Sequence, residues 1–408
     1  MDFTLSSTDR DLVERARGLA AEFAPRAREY DEAAAFPEED FARLREEGFL
    51  TLTVPVNLGG HGMWQGDRYL PFYTVLETIA AGSASTAQLL QIQSHATGIV
   101  AYLGNDEQRR RILGDVVRRG ALMASCGSEA DPRQVSSGRV ESGLRPAPGG
   151  FRLTGVKHFG SLAPAADYYL VYVMAPGTTT MAEGYTTVVV PKDSPGVSFD
   201  NNWDTMGMRA TISWSLKLDD VFVPWENVIG QPGDWIQHDP RTFTLAYVAN
   251  HLGTAQGAFD FVSGYLRERP YLMNDDTIAF TLGEMDAALQ ATRTSMWYAA
   301  WLWEQGRFAE AEMASMRALH SAKQTALMVT TKAFDVCGAR AAFKHLPLDR
   351  ALRDARTFSL HFRESQVMRM LAEADLGGTF HSKQKYGPKL GRGSWAALGL
   401  EPAAEPAH

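Results

Sequence analysis

A histidine with an unperturbed pKa of ~6.5 can take or give one proton near neutrality. His361, in RDARTFSLHFRESQ at 353–366, is this chain's first candidate for such work. By residue type alone it reads first as a histidine closing a helix contact. Hydroxyls that could orient a ligand stand in two glycine-containing turns, Ser161 in KHFGS and Ser125 and Ser128 in ASCGSEA, and ordinary turn serines look the same. Flat side chains suited to stacking accompany them, Phe159 in the first turn and Trp203 in NNWDTMG. A tryptophan between units is also often plain core. His95 in QIQSHATG is either a pocket residue or a satisfied core histidine, and Arg209 in GMRAT is either a ligand contact or a structural ion pair. Cys126 and Cys337 lack the C-x-x-C or Cys/His spacing of a zinc site, and Glu129 and Asp131 lack metal-site spacing, so no metal is assigned. Both cysteines are expected as small buried hydrophobes.

These residues need elements to hold them. From Ser7 to about Glu29, Leu12, Val13, Ala16, Leu19, Ala20 and Phe23 recur at helical spacing after a Ser/Thr-rich start suited to capping. FPEEDFARLREEGFL predicts a second helix, with Pro37 near its start and Gly48 at its stop. Segments at about 66–80, 85–103 and 106–119 complete an all-helical unit over 1–120, in which Arg109–Arg111 and Arg118–Arg119 are expected on a solvated face. Short β-prone runs (FRLTGV, YYLVYVMA, YTTVVV, SWSLKLDDVFV) separated by turn residues then predict a β-domain over 121–237. Helical periodicity returns at 239–268, 276–305, 308–338 and 348–376, which predicts an antiparallel helical bundle over 238–392. The last residues, 393–408, are expected to be a disordered tail.

Of 408 residues, 45% are hydrophobic, enough for a sizeable core, and a net charge of −8 gives no footprint for nucleic acid or an anionic membrane. The charged N-terminus lacks a signal-peptide apolar region and no run approaches the ~20 apolar residues of a membrane span, so the expected compartment is the cytoplasm.

Helices, β-domain, then four-helix bundle is an α+β order that resembles the acyl-CoA dehydrogenase superfamily, and local motifs carry the resemblance along nearly the whole chain. VPVNLGGHGM is similar to that family's loop before the third helix, and FRLTGVKHFGSLAPAADYYLV to its strand-turn-strand segment. WDTMGMRATISWSLKLDDVFVPWENVIG matches G-x-R-x-T/S followed by V-x-V-P-x-E-x-V-x-G. The departures say more. The glutamate that abstracts the α-proton of a thioester in the dehydrogenases falls here on Phe362, followed by Arg363, and the alternative base position falls near Phe243. Glu364 would be a relocated base, two residues along the presumed helix and about 200° round it.

R-D-A-R-T-x-x-L-H instead resembles the flavin-dependent (class D type) monooxygenase branch of the same superfamily, which includes dibenzothiophene monooxygenase. That resemblance implies reduced FAD or FMN and O2 as co-substrates, and a C4a-(hydro)peroxyflavin oxidising a small organic or CoA/carrier-tethered substrate. A separate flavin reductase and a homotetramer are implied with it. It places His361 and Ser161 in catalysis, Ser125, Ser128, Phe159, Ser161, Trp203 and Arg269 on the flavin, and His95, Trp203 and Phe362 in the substrate pocket. Arg269 aligns with an arginine that reaches the FAD pyrophosphate across a dimer interface, but Leu272 and Met273 replace the Phe-Gly after it, and the adenine-side segment reads Asp335-Val336-Cys337-Gly338-Ala339. The alternatives are a dehydrogenase-type flavin desaturase using Glu364, and an inactive binding or assembly member of the fold.

Overall fold

The computed structural model describes residues 1–64, 68–129, 140–234, 243–377 and 393–400. Five helical elements come first: α1 (Ser7–Ala33), α2 (Glu38–Glu46), α3 (Leu70–Gly82), α4 (Ala84–Leu103) and α5, which spans 106–119 with a π-helical turn inside it. The Ser6 hydroxyl accepts the Asp9 N–H at 3.1 Å and so caps α1. The side chains of α4 are buried from Ala84 to Ala101, so it forms the axis around which the other elements pack. Arg111, Arg118 and Arg119 are exposed as expected and Arg109 is half-buried, but Arg109 and Arg111 also brace their surroundings. Arg109 donates to the Ala101 carbonyl, and Arg111 reaches the Glu226 carbonyl and Asn227 of the β-domain.

Eight strands follow: β1 (Met123–Cys126), β2 (Gly143–Ala147), β3 (Gly150–Gly160), β4 (Tyr168–Met174), β5 (Tyr185–Pro191), β6 (Val197–Asp200), β7 (Trp214–Pro224) and β8 (Val228–Ile229). They form a sheet in the order β6-β7-β3-β2-β4-β5-β8, with β1 paired parallel to β4. YYLVYVM and YTTVVVP are almost wholly buried, which is why they read as continuous apolar runs and not as alternating ones.

The bundle comprises α6 (Phe243–Arg267), α7 (Asp276–Glu304), α8 (Phe308–Cys337), α9 (Pro347–Phe358) and α10 (Glu364–Asp375). The segment 348–376, expected as one helix, is therefore two. No single helix joins Phe362 to Glu364, so the 200° separation expected between them does not apply. Close approaches fix how the units dock. A Cβ on Gly253 of α6 would lie 2.1 Å from the Glu77 carbonyl of α3, and one on Gly207 would lie 2.2 Å from the Arg353 carbonyl of α9. Residues 393–400, expected within a disordered tail, pack on the β-domain. Trp395 is buried against Phe151 and Trp225 and donates its indole N–H to the Gly230 carbonyl at 3.1 Å. Residues 401–408 lie outside the described residues. Among the described residues no helix is long and apolar enough to cross a membrane, and no cluster of three or more His, Cys, Asp and Glu could hold a metal. Both cysteines are free and buried, and burial pushes the Cys126 thiol up to about 12 and the Cys337 thiol up to about 11.

Candidate active site between the sheet and the bundle

His361 sits in the five-residue break between α9 and α10. Its Nδ1 lies 3.0 Å from the Phe358 carbonyl. A carbonyl can only accept, so Nδ1 carries the hydrogen and Nε2 of the neutral ring keeps a lone pair. The ring packs against Phe358 and Tyr247, with centroids 4.7 and 5.0 Å away. His361 is solvent-exposed, yet the rings packed on it desolvate the imidazole and lower its pKa below the ordinary value. It is therefore neutral at pH 7. Phe362 stands edge-on to Tyr247 at 5.1 Å, and its carbonyl accepts from the buried Lys323 ammonium of α8 at 2.9 Å. Lys323 also holds Glu364 at 2.6 Å, and His320 bonds the other carboxylate oxygen. Desolvation pushes the Glu364 carboxyl up, but the bonds from Lys323 and His320 outweigh it and hold its pKa below the ordinary value. Glu364 is thus a member of an ion cluster that pins the turn carrying His361.

The sheet supplies a second cluster. At the end of β3 the register shifts, and Phe159 adopts a left-handed φ of 56° that leaves its ring 62% exposed and edge-on to Trp203 at 6.1 Å. An exposed phenylalanine in such a conformation is strained and points to a site. Beside it the Ser161 hydroxyl meets that of Ser213 at 2.7 Å, Ser213 meets Thr211 at 2.7 Å, and Thr211 reaches the Met208 carbonyl at 2.8 Å. Trp203 donates its indole N–H to that same carbonyl. The Met208 N–H in turn donates to Asp354 of α9, which couples this cluster to the helix that ends at Phe358. Asp354 is buried, and desolvation pushes its carboxyl up to about 6.

The Ser125 hydroxyl lies 3.0 Å from His95 Nδ1 on α4, whose ring stacks on Tyr172, and burial drives the His95 pKa down to about 3. Ser128 is exposed, and its carbonyl accepts the His158 N–H at 2.8 Å. Beneath the same loop lies an ion pair between Lys157 and Glu129 at 2.6 Å, with side chains 0% and 3% exposed. Glu129 also accepts the backbone N–H groups of Glu141 and Ser142. Residue types and positions here suit a flat heteroaromatic ring such as a flavin: Phe159 and Trp203 offer apolar faces, and Ser161 and the Ser125–Ser128 strand end offer hydrogen-bonding edges.

The expected residues thus gather in three neighbouring groups: His361 with Phe362, Phe159 with Ser161 and Trp203, and Ser125 with His95. Arg269 stands apart. It follows the far end of α6, roughly 30 Å along that helix from Tyr247, where it stacks over Tyr265 at 4.0 Å, pairs with Glu268 and influences Cys337. Arg209 bonds the Asp31 carbonyl and Thr205 carbonyl, so it fastens the β-domain to α1. The alternative base position, Phe243, begins α6, but its side chain lies outside the described residues, as does Asp131.

Family models for the N-terminal, middle and C-terminal domains of acyl-CoA dehydrogenases match residues 6–119, 128–221 and 245–366. This chain belongs to the acyl-CoA dehydrogenase family, a family of flavin-dependent oxidoreductases. It is 28% identical to cyclohexane-1-carbonyl-CoA dehydrogenase of Geobacter metallireducens over 92% of this chain and 98% of that one. Among solved structures, dibenzothiophene monooxygenase TdsC from Paenibacillus superposes with a TM-score of 0.81 at 25% identity, over 92% of this chain and all of that one. Butyryl-CoA dehydrogenase from Megasphaera elsdenii superposes at 0.84 with 24% identity, covering 92% and 100%, and that likeness speaks for the fold alone. Tyr247, Gln88, Gln91, His251 and Lys323 escaped the sequence reading. The signal available was QLLQIQSH on α4, where polar residues recur at helical spacing in a segment with no exposed face.

Proposed function

We propose that this chain is a flavin-dependent monooxygenase, taking FAD or FMN reduced by a separate reductase, with O2 as co-substrate, in a homotetramer. One observation carries the reading: the position of the dehydrogenase glutamate is Phe362, packed on Tyr247, and the neighbouring carboxylate, Glu364, is engaged by Lys323 and His320. Without a free carboxylate there, α-proton abstraction loses the 10²–10⁴-fold that a general base typically supplies. Bound reduced flavin with dioxygen would supply the oxidising chemistry. The chain's own residues then have definable tasks. His361, with Nδ1–H fixed by Phe358, accepts or returns one proton at Nε2 beside the substrate. Ser161 orients the flavin edge, and Phe159 and Trp203 cover its ring and exclude water. Arg269 would act only across a subunit interface, on the pyrophosphate of FAD.

The test is rapid mixing of protein and anaerobically reduced FMN with oxygenated buffer, followed by absorbance. A protein-dependent transient distinct from reduced and oxidised flavin supports the reading. Reoxidation at the protein-free rate, with every candidate substrate tried, overturns it. The dehydrogenase relatives favour a second reading, a desaturase of acyl thioesters. Anaerobic bleaching of bound FAD by an acyl-CoA would establish that reading instead.

A further inference from the structure

Helix α4 turns two different faces to its surroundings. At about 100° per residue, Thr86, Gln93 and Thr97 lie within one narrow arc, and Gln88, Gln91 and His95 lie within another on the opposite side. The first arc is fully served. Thr86 bonds Asp40, Gln93 bonds the Leu50 and Ala121 carbonyls and the Met123 N–H, and Thr97 bonds Thr53. The second arc is not. Gln88 is 2% exposed, Gln91 1% and Ser94, on its shoulder, 0%. Gln88 Oε1, both amide atoms of Gln91 and the Ser94 hydroxyl have no hydrogen-bond partner among the described residues. Gln88 does bond Tyr247, the residue packed on His361, and His95 bonds Ser125 at the sheet. Gln91 therefore lies midway along a stripe about 10 Å long that runs from the His361 cluster to the Ser125 cluster. Two further buried polar atoms without partners belong to residues packed on these clusters: Trp64 Nε1 beside His95, and His251 Nδ1 beside Phe358.

An unpaired buried amide or hydroxyl atom costs ~1–3 kcal/mol, so the amides of this stripe are matched to a ligand that bonds them. An aliphatic acyl chain would leave them stranded. Lys323 and Glu364, the ion pair behind the turn that carries His361, already bond each other, and the side chains packed around His361 are aromatic: Tyr247, Phe358 and Phe362. We propose that Gln88, Gln91 and Ser94 form a polar wall that receives a neutral, flat aromatic substrate carrying hydroxyl or carbonyl groups. This rests on the oxidation site proposed at His361 and names the class of molecule brought to it.

Equilibrium dialysis against the oxidised, FMN-saturated protein tests the wall without turnover, using 2,7-dihydroxynaphthalene, naphthalene and hexanoyl-CoA as probes. The diol should bind at least about tenfold more tightly than naphthalene, the ratio expected from one or two well-made hydrogen bonds. Gln91→Leu should remove most of that preference, weakening the diol while leaving naphthalene equal or tighter, and Gln88→Met should act in the same direction. Equal affinity of the parent for diol and naphthalene, a Gln91→Leu protein of parental melting temperature that loses both alike, or preferential binding of hexanoyl-CoA would each overturn the proposal. Because the flavin stays oxidised, diol preference in a protein that never activates oxygen would uphold the wall and sink the monooxygenase reading. Oxygen activation in a protein indifferent to the diol would do the reverse.

Discussion

Two equally buried regions treat their polar atoms in opposite ways. Under the β1 loop, Lys157 and Glu129 are withdrawn from water, and each has its partner, with the Glu141 and Ser142 N–H groups completing the carboxylate. On α4, Gln91 is as deeply buried and neither of its amide atoms is bonded among the described residues. The first arrangement is architecture, since a closed set of bonds fixes the loop that bears Ser125 and Ser128. The second is an open set, and open sets in dry interiors belong where another molecule completes them. Asp354 stands between the two, a buried carboxylate with the Met208 N–H as its donor and arginines nearby.

Breaking the closed set should cost most. Lys157→Met leaves Glu129 charged and uncompensated, so urea denaturation should show a loss of about 3–5 kcal/mol. The double variant Lys157→Met with Glu129→Gln should recover much of it, because the Gln carbonyl still accepts the backbone N–H groups. A double variant no better than the single one would mean that the pair does not hold this loop.

His361→Ala touches the site and little else. Product formed per flavin oxidised should fall on the order of 10²-fold while flavin affinity holds, and coupling equal to the parent's would count against the proton role.

The intermediate case should respond to pH. The folded pKa of Asp354, about 6, lies above its ordinary 3.8. Its contribution to stability is therefore fully present below pH 3.8 and is lost as pH rises through about 6. Asp354→Asn should accordingly stabilise the protein by about 1–3 kcal/mol at pH 7.5 and by nothing at pH 4, measured as melting temperature against pH. A stabilisation independent of pH would assign the effect to packing.

Gln91→Leu should give the smallest change, neutral to about 1 kcal/mol more stable in the ligand-free protein. Marked destabilisation would show that α4 keeps this glutamine for its own folding.

The order of units and most helices were legible because amphipathic spacing and turn residues are local signals, as in Leu12 to Phe23 of α1. The break at 359–363 was not, since Ser, Leu, His, Phe and Arg carry no strong helix-stopping chemistry. The last carbonyls of α9 are met by Ser359 Oγ and His361 Nδ1, and the Lys323 ammonium on the Phe362 carbonyl and the Glu364 cluster hold the turn from outside. His361, Phe159, Ser161 and Trp203 were found through resemblance, and their grouping required the sheet to meet α9 through Met208. The glutamines of α4 were invisible for a different reason. A polar residue in a helix is ordinarily assigned to a wet face, and only packing reveals that α4 has none.

The row of hydroxyls at Ser161, Ser213 and Thr211 has one more property. Its far end is the Met208 carbonyl, which can only accept, so the row runs one way: Thr211 donates to Met208, Ser213 to Thr211 and Ser161 to Ser213. Ser161 is thereby left offering a lone pair. Flavin N5 accepts a hydrogen bond when oxidised and donates one when reduced. A ring bound against this row would be matched in its reduced state, so under the proposed function the row would favour the reduced cofactor over the oxidised one.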